Sequence, residues 1–274
     1  MKANNYIVCS TVRSGSTLLC KTLAQLTGCG QPKEYFHRHT IERLQLDNNP
    51  ERFLSYCQEI VQESALSQSA FGMKMHWHQL LDCLRLARQS SELSHCSDLE
   101  IINALFPKVT FIYLWRRDVI AQAVSAAIAT QTGRWEKPTH RPEPASTTPI
   151  KFQPWRIYEW DQALRSQYQL WQQFFSTYQL PHYEITYEDL VANFPTEISN
   201  ILSYINYPSN AFSQEFSQGL SIPTKRQGNQ TNQKFIRYYT LLPRPVSAMI
   251  FRLYEKVVPL IRPSSEPTAE ANAS

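Results

Sequence analysis

An α/β fold, a single domain with a central parallel sheet flanked by helices, follows from three observations on this sequence. Four short runs are apolar and rich in β-branched and aromatic residues, helical patterns alternate with them, and 274 residues suffice to bury one full core. The domain is expected to span residues 1–262. The polar stretch 263–274 is expected to be a disordered tail.

The first strand is expected at 6–11 (YIVCST), and the helix after it at 17–26, where Leu19, Thr22, Leu23 and Leu26 fall on one side. A helix is expected over 50–64, a second strand over 71–77 (FGMKMHW), and helices over 80–88 and 99–105. The third strand is expected at 109–115. Asp118 then stands where an N-cap is needed for a helix over 118–130. Residues 133–154 carry Pro138, Pro142, Pro144, Pro149 and Pro154 and cannot form a packed helix, so they are expected to be a mobile loop near a site. A long helix is expected over 155–177, a fourth strand over 183–186, and one helix from about 188 to 205. Residues 219–232 read as irregular and polar, and 235–256 as helical with an interruption near Pro243 and Pro245.

Between the first strand and first helix stand Arg13, Ser14, Gly15, Ser16 and Thr17. A strand, a tight polar turn and a helix aim free backbone N–H groups and a positive helix end at an anion. Gly15 lets the backbone approach closely, and the three hydroxyls add donors. The same letters also fit a helix start capped by Ser14 or Ser16 without any ligand. The nucleotide-kinase loop Gly-x-x-x-x-Gly-Lys-Ser/Thr lacks its first Gly and its Lys here, which points away from an ATPase.

The third strand ends in Arg116 and Arg117, and Ser125 lies about two helical turns beyond Arg117. Such an Arg and Ser can hold opposite sides of one phosphate, or can be ordinary surface and helix residues. Composition narrows the partners. A net charge of +4 suits a polyanionic small molecule and falls short of a nucleic-acid stripe. No apolar run suggests a signal peptide or membrane span, so a cytoplasmic protein, not an integral membrane one, is expected. Six scattered cysteines without a Cys-x-x-Cys pair read as reduced, packed thiols.

Together, YIVCSTVRSGSTLLCKTLAQLTGCGQPKEYF, FGMKMHW, LWRRDVIAQAVSAAIATQTGRW, residues 183–194 and KRQGNQTNQKF resemble the sulfotransferases that use 3′-phosphoadenosine 5′-phosphosulfate (PAPS). The resemblance is closer to the bacterial trehalose 2-sulfotransferase type. It implies a P-loop-like sulfotransferase fold and PAPS as the donor, without a metal. Arg13, Ser14, Gly15, Ser16 and Thr17 would hold the phosphosulfate. Arg117 and Ser125 would hold the 3′-phosphate, with Arg116 as the alternative arginine, and Lys225, Arg226 and Gln227 would close a basic flap over the nucleotide.

The resemblance also implies a catalytic base at Glu34, within Pro32-Lys33-Glu34-Tyr35-Phe36. Sulfuryl transfer to a hydroxyl needs a proton acceptor within hydrogen-bond reach, and a carboxylate can serve. Lys33 departs from the neutral residue expected there. His76 is the rival base, since Lys74-Met75-His76 resembles the Lys-Thr-His of the cytosolic sulfotransferases, where the Lys helps bind the sulfuryl group. Strand alternation would put Lys74, His76 and His78 on one face. No third ligand of recognisable spacing accompanies the two histidines, so a metal is not expected. His37 and His39 read as substrate-loop or surface residues. The implied acceptor is a carbohydrate or glycolipid, and the relatives' dimers imply a homodimer. The competing classes are a P-loop nucleotide kinase or NTPase and a non-catalytic nucleotide-binding protein.

Overall fold

The structure is a computed structural model, and it describes residues 4–67, 69–135, 149–207 and 230–242. Four parallel strands form one sheet: β1 (Tyr6–Ser10), β2 (Gly72–His76), β3 (Thr110–Trp115) and β4 (His182–Thr186), in the order β2-β1-β3-β4. Registers such as Ser10 opposite both His76 and Leu114 bring the C-terminal ends of β2, β1 and β3 level. The strand order reverses beside β1, and in open parallel sheets ligands bind off the carboxyl ends at such a reversal. The loop 11–15 leaves β1 there.

The helices are α1 (Ser16–Leu23), α2 (Arg38–Arg43), α3 (Pro50–Leu66), α4 (Trp77–Ala87), α5 (Asp98–Leu105), α6 (Val119–Thr132), α7 (Pro154–Thr177), α8 (Tyr187–Ala192), α9 (Phe194–Tyr204) and α10 (Gln230–Leu241). Their starts follow local chemistry. Asn49 accepts the Arg52 amide ahead of Pro50, Ser97 and Glu100 form a capping box, and Thr186 accepts the Asp189 amide.

By contact density the described chain groups into two compact units, one covering Met1–Trp115 and Gln169–Pro223, the other Arg116–Tyr168 and Thr224–Ser274. The first unit holds the sheet. All five residues of β1 are buried, as a central parallel strand requires. Tyr6, Val8, Ile112 and Leu114 pack with Leu19 and Leu23 of α1, Leu190 of α8 and Ile198 and Ile201 of α9. Beyond the edge strand β2, Phe36, Phe53, Tyr56 and Phe106 form an aromatic cluster, with Phe71 stacked on Phe106. Each such side chain, when buried, contributes roughly 1.5–3 kcal/mol. In the second unit α6 and α10 pack together, and Phe152 meets Phe235 and Tyr238.

Several expectations need correcting. Strand β2 ends at His76 and α4 begins at Trp77, so His78 lies on a helix and not on the strand face of Lys74 and His76. The single helix expected over 188–205 is two, broken at Asn193, because Pro195 has no N–H to continue the ladder of α8. Helix α10 starts at Gln230, inside the stretch read as irregular. The short helix α2 was not foreseen, since it buries only Ile41. Most of the Pro-rich loop (136–148) and the tail 263–274 lie outside the described residues.

Candidate active site

The loop after β1 puts its polar groups where an anion can use them. Neither Ser14 nor Ser16 caps α1. The N-cap is Gly15, in a left-handed conformation (φ 91°), and it makes no side-chain cap bond. Arg13 is itself held at φ 61°, a strained region for a residue with a Cβ. A Cβ on Gly15 would stand 2.4 Å from the Tyr187 ring, so glycine is needed for φ and for space at once. Ser14 Oγ is fully buried and has no hydrogen-bond partner among the described residues. Leaving such a group unmatched costs about 1–3 kcal/mol. Orphaned hydroxyl, uncapped helix start and glycine turn together fit a phosphate-like group.

The second cluster is assembled from three segments. The chain after α1 turns at Gly30 (φ 83°) and runs beside β2, where Lys33 bridges to Met73 and the Lys33 carbonyl accepts the Lys74 amide at 2.9 Å. Phe36 is buried in the aromatic cluster, and the Tyr35 carbonyl accepts the Tyr56 hydroxyl at 3.0 Å. Pinned on both sides, Glu34 reaches the C-terminal end of β2. Its Oε1 is in ion-pair contact with Lys74 Nζ, its Oε2 accepts from Gln79 Nε2 at 2.7 Å, and His76 Nε2 lies 3.9 Å from Oε2. Lys74 Nζ also donates to Thr17 Oγ1 at 3.4 Å, which ties this cluster to the loop after β1. Ser10 Oγ lies 3.1 Å from His76 Nδ1.

Electrostatics separate the two candidate bases. Burial alone would raise the Glu34 pKa. The charges of His76 and Lys74, with hydrogen bonds from Lys74 and Gln79, outweigh it and hold the carboxyl down to about 2. Burial pushes the His76 imidazole down to about 3 despite the nearby Glu34 charge. His76 is therefore neutral at pH 7, and Lys74 and Gln79 keep Glu34 ionised there. The Glu34 side chain is 25% exposed and the His76 side chain 6%, so a hydroxyl from solvent can reach the carboxylate far more readily.

Of the residues singled out from sequence, Arg13, Ser14, Gly15, Ser16, Thr17, Glu34, Lys74 and His76 belong to the first compact unit. Arg116, Arg117 and Ser125 belong to the second. There Asp118 caps α6 as expected, accepting the Ala121 amide at 2.9 Å, and the Arg116 amide donates to the Tyr168 hydroxyl. Lys225, Arg226 and Gln227 lie outside the described residues. His37 caps α2, accepting the His39 amide. Among the described residues no group of three or more His, Cys, Asp or Glu side chains could hold a metal ion, and no helix is long and apolar enough to cross a membrane. No disulfide joins the six cysteines, and five of them are buried.

Sequence reading missed Gln79, Ser10 and Tyr187. Gln79 had a signal, because Glu or Gln three residues after a helix N-cap is a capping pattern. Nothing local marks Ser10 or Tyr187, which matter through partners distant in sequence.

A family model described as Stf0 sulphotransferase matches residues 5–241. A trehalose 2-sulfotransferase of Mycobacterium tuberculosis (strain ATCC 35801 / TMC 107 / Erdman) is 25% identical over 266 residues, covering 87% of this chain and 96% of the relative. Its counterpart from Mycolicibacterium smegmatis (strain ATCC 700084 / mc(2)155) is 23% identical over 265 residues, covering 85% and 93%. Among solved structures, the chain is similar to the sulfotransferase domain from the curacin biosynthetic pathway at 16% identity and a TM-score of 0.46, covering 89% of this chain and 100% of that one.

Proposed function

We propose, from the premise that the chain belongs to the Stf0 sulphotransferase family, that this sulfotransferase uses PAPS to sulfate a hydroxyl of a carbohydrate or glycolipid acceptor, a trehalose-like sugar among them. The observation that carries the reading is the position of Lys74 Nζ, in contact with the Glu34 carboxylate and 3.4 Å from Thr17 in the anion loop. One ammonium thus stands beside both a proton acceptor and a phosphate-binding turn. The names of the relatives support the sugar acceptor.

Bound PAPS would supply an activated sulfuryl group and a stable leaving group, adenosine 3′,5′-bisphosphate. Arg13, Ser14, Gly15, Ser16 and Thr17 would hold the phosphosulfate end, and Arg117 and Ser125, with Arg116 as the alternative arginine, would hold the 3′-phosphate. Glu34 takes the proton of the acceptor hydroxyl as the new O–S bond forms. The phosphate that bound PAPS would release as its bond to sulfur breaks would carry growing negative charge. Lys74, Arg13, the uncapped amides of α1 and the positive end of that helix stabilise it. His76 lies behind Glu34 as a neutral neighbour. Fixed cations and N–H donors do here what a metal does in kinases. Residues 1–262 are read as one catalytic domain of a cytoplasmic homodimer.

The test is direct. Calorimetry should show binding of adenosine 3′,5′-bisphosphate in EDTA, with ATP and Mg²⁺ bound far more weakly. Radiolabelled PAPS offered with a panel of sugars should yield a sulfated product by mass spectrometry. Preference for ATP and Mg²⁺ would turn the assignment toward a kinase. Bisphosphate binding without transfer to any acceptor would turn it toward a non-catalytic nucleotide binder.

A further inference from the structure

We propose that Gln79 is a positioning residue for the reaction: its side-chain amide, oriented by the backbone of His76, fixes the Glu34 carboxylate and keeps it in the proton-accepting form. The inference rests on the reading of Glu34 as the base. Gln79 is buried at the third position of α4. Its Oε1 accepts the His76 amide at 2.9 Å, and its Nε2 donates to Glu34 Oε2 at 2.7 Å. Reversing the amide would set Oε1 against a carboxylate oxygen and the NH2 group against an N–H donor, so only one orientation satisfies both ends. The start of α4 therefore fixes the direction in which Gln79 donates, and Gln79 fixes one of the two carboxylate oxygens.

Among the described residues, these charged and titratable groups face Glu34. Lys74 reaches Oε1 from β2, His76 stands 3.9 Å from Oε2 at the end of β2, and His78 pairs with the His76 ring on α4. At 3.9 Å His76 Nε2 is beyond hydrogen-bond reach, so among the described residues Gln79 is the donor that serves Oε2. A donor to the ionised form favours that form and limits rotation of the carboxyl. With Oε2 held by Gln79 and Oε1 beside Lys74, the remaining lone pairs have fixed directions for an incoming hydroxyl.

The deciding variant is Gln79→Glu. A glutamate at this helix position can still accept the His76 amide, as in a capping box, so the start of α4 is kept. Toward Glu34 it removes the donor and sets a second carboxylate alongside, and two such groups cannot both stay ionised at ordinary cost. Gln79→Met removes the donor without adding charge. In full-length protein labelled with ¹³C at the glutamate carboxyls, the Glu34 resonance is assigned by its loss in Glu34→Gln and followed against pH. In wild type it should stay in the ionised position down to pH 4. In Gln79→Glu it should titrate above pH 5, and in Gln79→Met by a smaller upward step.

With PAPS and an acceptor identified by screening, turnover at pH 7 should fall about tenfold or more in Gln79→Glu. It should recover at higher pH, the acid limb moving with the resonance, while adenosine 3′,5′-bisphosphate affinity is unchanged. A Glu34 resonance that stays at its wild-type position in both variants overturns the proposal. So does a loss of turnover that is equal at every pH, which is what a purely structural role would give. Near-normal turnover by Glu34→Gln overturns the base assignment instead, and the titration still reports whether Gln79 holds the carboxylate.

Discussion

The carbonyl of Lys33 accepts the backbone amide of Lys74 at 2.9 Å, so the loop that carries Glu34 is joined to β2 by main chain as well as by charge. This bond explains how a carboxylate on an irregular segment is held in one place beside β2. It also explains how Lys33, a departure from the expected neutral residue, is accommodated. The Lys33 side chain is exposed while its backbone takes part in the pairing.

Binding of the nucleotide should depend on Arg13 and Arg117. Losing one charge-assisted hydrogen bond to phosphate costs about 1.5–3 kcal/mol, roughly tenfold to a hundredfold in affinity. Arg13→Ala and Arg117→Ala should each weaken adenosine 3′,5′-bisphosphate binding by that much in calorimetry, with the circular dichroism unchanged. Ser125→Ala should lose less, and only for ligands bearing the 3′-phosphate. Wild-type affinity in both arginine variants would refute the assignment of the loops.

Glu34→Gln keeps size and shape and removes the proton acceptor. Turnover should fall about a hundredfold to ten-thousandfold while PAPS still binds. His76→Ala should be milder, because its imidazole is buried and 3.9 Å from the carboxylate. Single-turnover rates with a verified acceptor decide between them. A dead His76→Ala beside a healthy Glu34→Gln would make His76 the base.

Acid should destabilise the fold in two windows. The folded His76 pKa is near 3 against an ordinary 6.5, because burial penalises the cation. Below pH 6.5 the unfolded chain therefore binds a proton that the folded chain refuses, and stability drops as pH falls. Glu34, held near 2 against 4.5, adds stability above pH 4.5 that is lost as pH falls from 4.5 toward 2. Between pH 6.5 and 5 only His76 of this pair acts, and the loss is on the order of 1–2 kcal/mol. Thermal unfolding should show the Tm falling less over that interval in His76→Gln than in wild type. Parallel slopes would contradict a buried neutral imidazole.

Gly15→Ala should be destabilising by about 1–3 kcal/mol, from the positive φ and from the clash with Tyr187. Tyr187→Ala in the same chain should relieve the clash and leave the backbone part. Urea denaturation of the two single variants and the double variant measures this coupling. Strict additivity would mean that the ring does not confine the turn.

The sequence by itself determined the four strands, the polar turn after the first, the cap at Asp118 and the likeness to sulfotransferases. These depend on local periodicity and on contiguous motifs, and both survive in a string of letters. It could not place His78, because whether the chain leaves the strand at His76 or at His78 depends on where α4 starts. It named Glu34 and Lys74 separately, and only the tertiary structure put them in contact through the pairing of Lys33 with β2. The buried, neutral state of His76 and the hold of Gln79 on Glu34 likewise came from packing. Protonation and orientation depend on which charges and donors lie within a few ångströms, and that set is gathered from segments about forty positions apart in the chain.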